Sequence, residues 1–163
     1  MADARFEDGA ERPLRLVAMD AEGLQVIAAL AQDAVITGSD LSWDRKRRQF
    51  GLLLNRFRWE DRDAAQAEGR AFERVRAALV FDGVLSVQTM GISPGDADTI
   101  LSLLSIEYAP TDEVAGTVTL VLAGDGAIRL MVESLEVALR DVTRPYRAVS
   151  GRAPDHDLDH GDD

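Results

Sequence analysis

Apolar side chains alternate with polar or small ones on both sides of Ala123-Gly124-Asp125-Gly126. Val118, Leu120 and Leu122 lead in, and Ile128, Leu130 and Val132 lead out. A period of two puts those six side chains on one face of an extended chain, whereas a helix would scatter them. An Asp-Gly pair supplies the positive φ angles that tight hairpin turns require, so the segment predicts an antiparallel hairpin.

The same pattern recurs upstream. Val75, Ala77, Leu79 and Phe81 alternate with Arg74, Arg76 and Ala78 before Asp82-Gly83, which predicts a half-buried strand and a turn. Val84–Ile92 and Ile100–Tyr108 read as two more strands, with Ser93–Asp98 between them as a loop around Pro94-Gly95. Leu41 and Trp43 alternate with Ser42, Asp44–Gln49 is a charged loop, and Phe50–Trp59 is the returning strand of another hairpin. Within it the triplet Leu52-Leu53-Leu54 suggests a strand covered on both faces. Asp61–Gly69, polar and Ala-rich, reads as a loop. Strands joined by such short links pair antiparallel, because a parallel pair needs a longer crossover.

Helical spacing is confined to the two ends. Leu14–Met19 has strand composition, and Asp20 is placed to cap a helix in which Leu24, Ile27, Ala28 and Ala31 recur up to about Gln32. Near the other end Leu135, Ala138, Leu139 and Val142 form one apolar helical face, stopped by Pro145. The expected fold is therefore α+β: antiparallel sheet, with an N-terminal β-α unit and a C-terminal capping helix. A bent sheet or partial barrel closed by that helix, similar to pleckstrin-homology-like domains, is one architecture this order allows.

A single domain over residues 14–149 fits the length of 163 residues, and a chain of that size buries roughly 70% of its unfolded surface. Residues 1–13 and 150–163 read as disordered tails. The last eleven residues, APDHDLDHGDD, hold five Asp and one large apolar side chain, too little to offset the entropy of ordering them. No apolar run approaches the roughly 20 residues that span a bilayer. The opening MADARFEDGAERP lacks the apolar core of a signal peptide, so a cytoplasmic setting is the expectation.

The stretches LRLVAMDAEGLQVIAALAQDAV, FGLLLNRFRWE, RVRAALVFDGVLSVQTMGI and GTVTLVLAGDGAIRLMVESLEVALRDV together cover most of residues 14–142. In them the chain resembles a family of small alphaproteobacterial proteins known only as a domain of unknown function. The resemblance is a pattern along the chain and carries no catalytic signature, so it implies no activity, cofactor or site.

The chemistry available is narrow. Between Leu14 and Ala153 there is no histidine and no cysteine, and the only lysine is Lys46. The folded part therefore lacks the usual neutral-pH proton shuttle, the thiol nucleophile and most transition-metal ligands. Gly124-Asp125-Gly126 lies between strands and precedes no Lys-Ser or Lys-Thr, so it is no phosphate loop. His156 and His160 with the neighbouring Asp residues could take a divalent metal only weakly, since nothing holds that tail. Asp82, Asp96, Asp98, Glu107, Asp112, Glu113, Glu133 and Glu136 show no spacing that marks an acid–base pair. No cofactor and no metal site is expected.

One segment concentrates positive charge. Residues 44–76 hold ten of the eighteen Lys and Arg residues and six acids, a local excess of +4 in a chain of net charge −11. Within it Trp43, Arg45, Lys46, Arg47, Arg48, Arg56 and Arg58 could present stacking and guanidinium groups to an anionic ligand or partner. A solvated hairpin turn is the plainer reading, and the net charge disfavours nucleic acid. The expected function is a non-catalytic binding or adaptor domain acting on a protein partner or on a second copy of itself. The rival is a small enzyme or anionic-metabolite-binding protein using Arg and carboxylate groups. A deep pocket where those groups converge would favour the rival.

Overall fold

The computed structural model describes residues 13–92 and 98–147. The two tails, Pro13 apart, fall outside those residues, as do His156, His160 and positions 93–97 of the expected Pro94-Gly95 loop. Among the described residues eleven strands and two α-helices follow one another, besides two short 3-10 turns: β1 (Arg15–Ala18), α1 (Ala21–Ala31), β2 (Val35–Thr37), β3 (Leu41–Asp44), β4 (Gln49–Phe57), α2 (Arg62–Glu68), β5 (Glu73–Phe81), β6 (Val84–Met90), β7 (Ile100–Pro110), β8 (Gly116–Leu122), β9 (Gly126–Val132), β10 (Val137–Asp141) and β11 (Tyr146–Arg147). Every strand pair is antiparallel; the short links demand this of β3–β4, β7–β8 and β8–β9, whereas pairs such as β1–β10 and β6–β9 join strands far apart in the chain.

The strands form one sheet in the order β1-β10-β5-β4-β2-β7-β8-β9-β6, with β11 beside β5 and β3 beside β4. Its two ends, β1 and β6, do not meet, so no barrel closes. Strand β7 is the joint. Ile100–Ser102 pairs with β2, and from Leu103 onward the strand pairs with β8, with a register shift between Leu103 and Ser105. The inner faces of the two halves meet in one core: Phe50, Leu52 and Leu54 of β4, Ala77, Leu79 and Phe81 of β5, and Val118, Leu120, Leu122, Ile128, Leu130 and Val132 of β8 and β9. Helix α1 adds Leu24, Ile27, Ala28 and Ala31, the four residues its spacing singles out, and Asp20 caps it by accepting from Gly23 N at 2.7 Å.

Four expectations need correction. The C-terminal helix is instead strand β10, held between β1 and β5, so both of its backbone edges are paired. Val137, Leu139 and Asp141 face inward, with Leu135 also buried, while Val142 is exposed, so the burial follows a period of two and keeps only Leu135 and Leu139 of the helical face read there. The apolar spacing of this segment suits either period, and two flanking strands decide it. The pleckstrin-homology-like closure therefore has no terminal helix to make it. Asp61–Gly69 is not a loop but holds α2, ended by Gly69 at φ 69° with Arg70 N–H donating to Ala65 C=O at 2.8 Å. Positive φ in the central hairpin falls at Gly124 (82°) and Asp125 (69°), one residue earlier than an Asp-Gly turn places it. Finally, β4 is covered on one face only: Leu52 and Leu54 are buried, whereas Leu53 is 36% exposed.

Candidate functional site

The seven residues singled out on the β3–β4 hairpin do not form one surface. Trp43 stands opposite Phe50 and leans on the core. Arg45, Lys46, Arg47 and Arg48 are exposed in the turn. There Arg47 lies 3.8 Å from Asp44, and Arg48 Nη1 donates to Glu133 Oε1 at 2.9 Å. Arg56 and Arg58 lie at the far end of β4 and are buried.

Arg56 follows Leu54 on the inward face of β4, so its guanidinium is driven into the end of the core. Its five N–H groups all find acceptors. Nε and Nη2 donate to Asp141 Oδ1 and Oδ2 at 3.0 Å, while Nη1 and Nη2 donate to Glu60 Oε1 and Oε2 at 2.9 and 2.8 Å. The fifth goes from Nη1 to Phe57 O at 3.3 Å. Burial opposes the charge of Arg56, but hydrogen bonds and charge from Glu60 and Asp141 outweigh it and raise its pKa. Burial likewise pushes the Glu60 carboxyl up. The bonds and charge of Arg56, helped by its own backbone N–H and by Arg58, carry it below its ordinary value. Asp141 also accepts from Leu14 N at 2.9 Å, and its own N–H donates to Leu14 O. The pair thus ties the start of β1 to β4 and β10.

The network continues outward. Arg58 pairs with Glu73 through a short hydrogen bond and lies 3.6 Å from Asp61 and 3.8 Å from Glu60. Arg70 donates to both oxygens of Asp61, at 3.0 and 3.2 Å, and to Glu68 at 2.6 Å. Those bonds raise its pKa. A groove of about 800 Å³ opens over these groups, lined by Pro13, Arg58, Asp61, Glu68, Arg70, Glu73, Arg144 and Pro145. Arginines and carboxylates do converge in it, three of each. All but Arg144 are spent on one another, which leaves little free charge for an anionic metabolite. Among the described residues no group of three or more His, Cys, Asp or Glu is placed to hold a metal ion.

Besides Arg144 here and Arg45 and Lys46 in the turn, two unspent cations lie together on the outward face of the sheet. Register places Val17, Ala138, Val80, Gly51 and Ser42 side by side across β1, β10, β5, β4 and β3. The next row is Arg15, Arg140, Ala78 and Leu53, and beyond it Arg76 stands opposite Asn55. Arg15 and Arg140 are both exposed and directly opposed, and neither guanidinium has a hydrogen bond or ion pair among the described residues. Arg76 reaches Asp40 only at 3.9 Å. Further along β4, Phe57 is covered by Trp59 and Phe72, with ring centroids 4.8 and 5.8 Å away. The open region is thus bounded at that end. The alternation in Leu14–Met19 puts Arg15 and Val17 on one face, but Arg140 joins them only once β10 is known to be a strand.

No helix among the described residues is long and apolar enough to cross a membrane. No curated protein and no solved structure matches the chain. One family model does, over residues 14–156, and by it the chain belongs to the family described as a protein of unknown function, DUF2948.

Proposed function

We propose that this protein is a non-catalytic binding domain whose open sheet face takes an acidic, partly apolar segment of a partner protein. The observation that carries the reading is Arg15 directly opposite Arg140 with no counter-charge among the described residues. Like charges facing each other across two strands are destabilising, so the arrangement costs the fold and gains only when an anion binds. Beside the two arginines lies a floor of small or aliphatic side chains, Val17, Ala138, Val80, Gly51, Ala78 and Leu53, against which apolar groups can pack.

The size of the face argues for a segment. Five strands span about 19 Å, and the distance from Val17 to the Arg76 row is about 13 Å along the strands. That footprint of roughly 250 Å² falls well short of the ~800 Å² per partner typical of a stable complex between folded proteins. A second copy laid over it would also bring the same arginines toward these. The groove beside Arg58 supports the rival metabolite-binding reading less well, because its charges are already paired.

Fluorescence anisotropy with a labelled peptide of alternating Glu and Leu tests the reading. Wild type should bind it saturably, and Arg15→Glu/Arg140→Glu should weaken binding about tenfold or more while the far-UV spectrum stays unchanged. No binding, or equal affinity for the two proteins, would remove the proposal.

A further inference from the structure

We infer that β6 is a self-pairing edge, through which two copies of the chain join antiparallel about a twofold axis at Gln88. The observation is independent of the arginine face. Among the described residues β6 is the last strand of the sheet, paired with β9 alone. An open edge presents unpaired N–H and C=O groups, and proteins commonly guard such edges with charge or proline. The other strands with a single neighbour each carry a charged residue: Arg15 in β1, Asp44 in β3 and Arg147 in β11. β6 reads VLSVQTM, with neither charge nor proline, and exposes Leu85 and Met90.

The sequence and its flanks select the partner. A bulge sets Leu85 apart from the ladder, and Ser86–Met90 then pairs regularly with β9. A twofold axis at Gln88 sets Gln88 against Gln88, Val87 against Thr89 and Ser86 against Met90, with no like charge anywhere along the join. The ends of β6 differ in sign: around Val84 the four basic residues Arg45–Arg48 outnumber Asp44, Asp82 and Glu133, two of them paired with Arg47 and Arg48. At Val84, whose N–H donates to Arg48 O at 2.8 Å, stands the turn that carries Arg45 and Lys46. At the Met90 end, Gly91 lies against the backbone of Asp125. Antiparallel pairing therefore brings the basic turn of each copy toward the Asp125 turn of the other, whereas parallel pairing would set like against like. Five residue pairs make a small interface, so the dimer is expected to be weak and concentration-dependent.

Sedimentation velocity of the full chain over a range of concentrations gives the first test. The mass should rise from 17.8 kDa toward twice that value. Gln88→Lys, on an exposed position, should shift the midpoint at least about tenfold upward by setting two ammonium groups face to face, and Gln88→Val should leave it in place or lower it. The chain has no cysteine, which permits a second test. Directly opposed residues of an antiparallel pair have Cα atoms about 4.5–5.5 Å apart, within disulfide range. Gln88→Cys should oxidise to a covalent dimer much faster than Glu22→Cys, which lies at the start of α1. A monomer at every concentration, a dimer untouched by Gln88→Lys, or equal oxidation rates for the two cysteine variants would each overturn the inference.

Discussion

A guanidinium whose five N–H groups are all engaged has no donor left for a ligand, and Arg56 is in that state. Its role is to let a charge sit at the end of the core and to lock Asp141 and Glu60 around it. A buried pair of this kind adds little compared with an apolar replacement, but removing one partner leaves the other charge stranded. Asp141→Asn is therefore expected to lower the unfolding free energy by about 3 kcal/mol in a urea titration. Part of that loss is the acceptor for Leu14 N. The Glu60 carboxyl has a folded pKa below its unfolded one, so its contribution is full at neutral pH. It is lost as pH falls below the unfolded value and on through the lower folded one. Melting curves between neutral and acid pH should show less acid sensitivity in Glu60→Gln than in wild type. Arg15 behaves oppositely. Replacing it with Glu turns a repulsive cross-strand pair into an attractive one, and the melting temperature should rise by about 1–2 °C. A gain in stability joined to a loss of acidic-peptide binding would separate a binding role for Arg15 from a structural one.

At the scale of elements, what could be read in advance was what local spacing decides. Helix α1 is set by an Asp20 cap and four apolar positions within one short stretch, and the central hairpin by its alternation and turn. Three features depended on partners far along the chain. β10 lies between strands about 60 and 120 residues upstream of it, so nothing in its own sequence could decide strand over helix. Leu53 looks like its neighbours Leu52 and Leu54, yet its burial depends on whether any element crosses the outward face. The Arg56–Asp141 pair joins residues 85 apart, and although alternation with Phe50, Leu52 and Leu54 puts Arg56 on the inward face, nothing near it in the sequence shows the carboxylate that lets its charge sit there. The end of β6 offers a test of how firmly the elements fix one another. Gly91 sits at φ 71°, and a Cβ there would lie 2.9 Å from Asp125 O, which is backbone and cannot swing away. Gly91→Ala should cost about 2 kcal/mol from strain and overlap together. Tyr108 can yield more easily. Gly116→Ala meets the far end of that ring at 2.5 Å and should cost only about 1 kcal/mol, read from the shift in melting temperature.

For the molecule as a whole the deciding quantity is a net charge of −11 set against two opposed arginines, Arg15 and Arg140, that have no partner among the described residues. Two copies of such a chain repel at long range, and that repulsion weakens as salt shortens the Debye length from about 30 Å at 0.01 M to about 8 Å at 0.15 M. Pairing along the uncharged β6 ladder relies on backbone hydrogen bonds and on Leu85 and Met90, which salt hardly touches, while the attraction between the basic and Asp125 turns is confined to the rim. Self-association should therefore tighten between those two ionic strengths. An acidic segment on the Arg15–Arg140 face is held by opposite charge, and its affinity should fall over the same interval. One salt series, followed by sedimentation for the chain alone and by anisotropy with the acidic peptide, thus gives slopes of opposite sign. If both slopes fell with salt, the association would be governed by the basic turn and acidic surface in place of the β6 ladder. If both rose, the peptide would be binding through its leucines, and the unpaired arginines would have no part in recognising it.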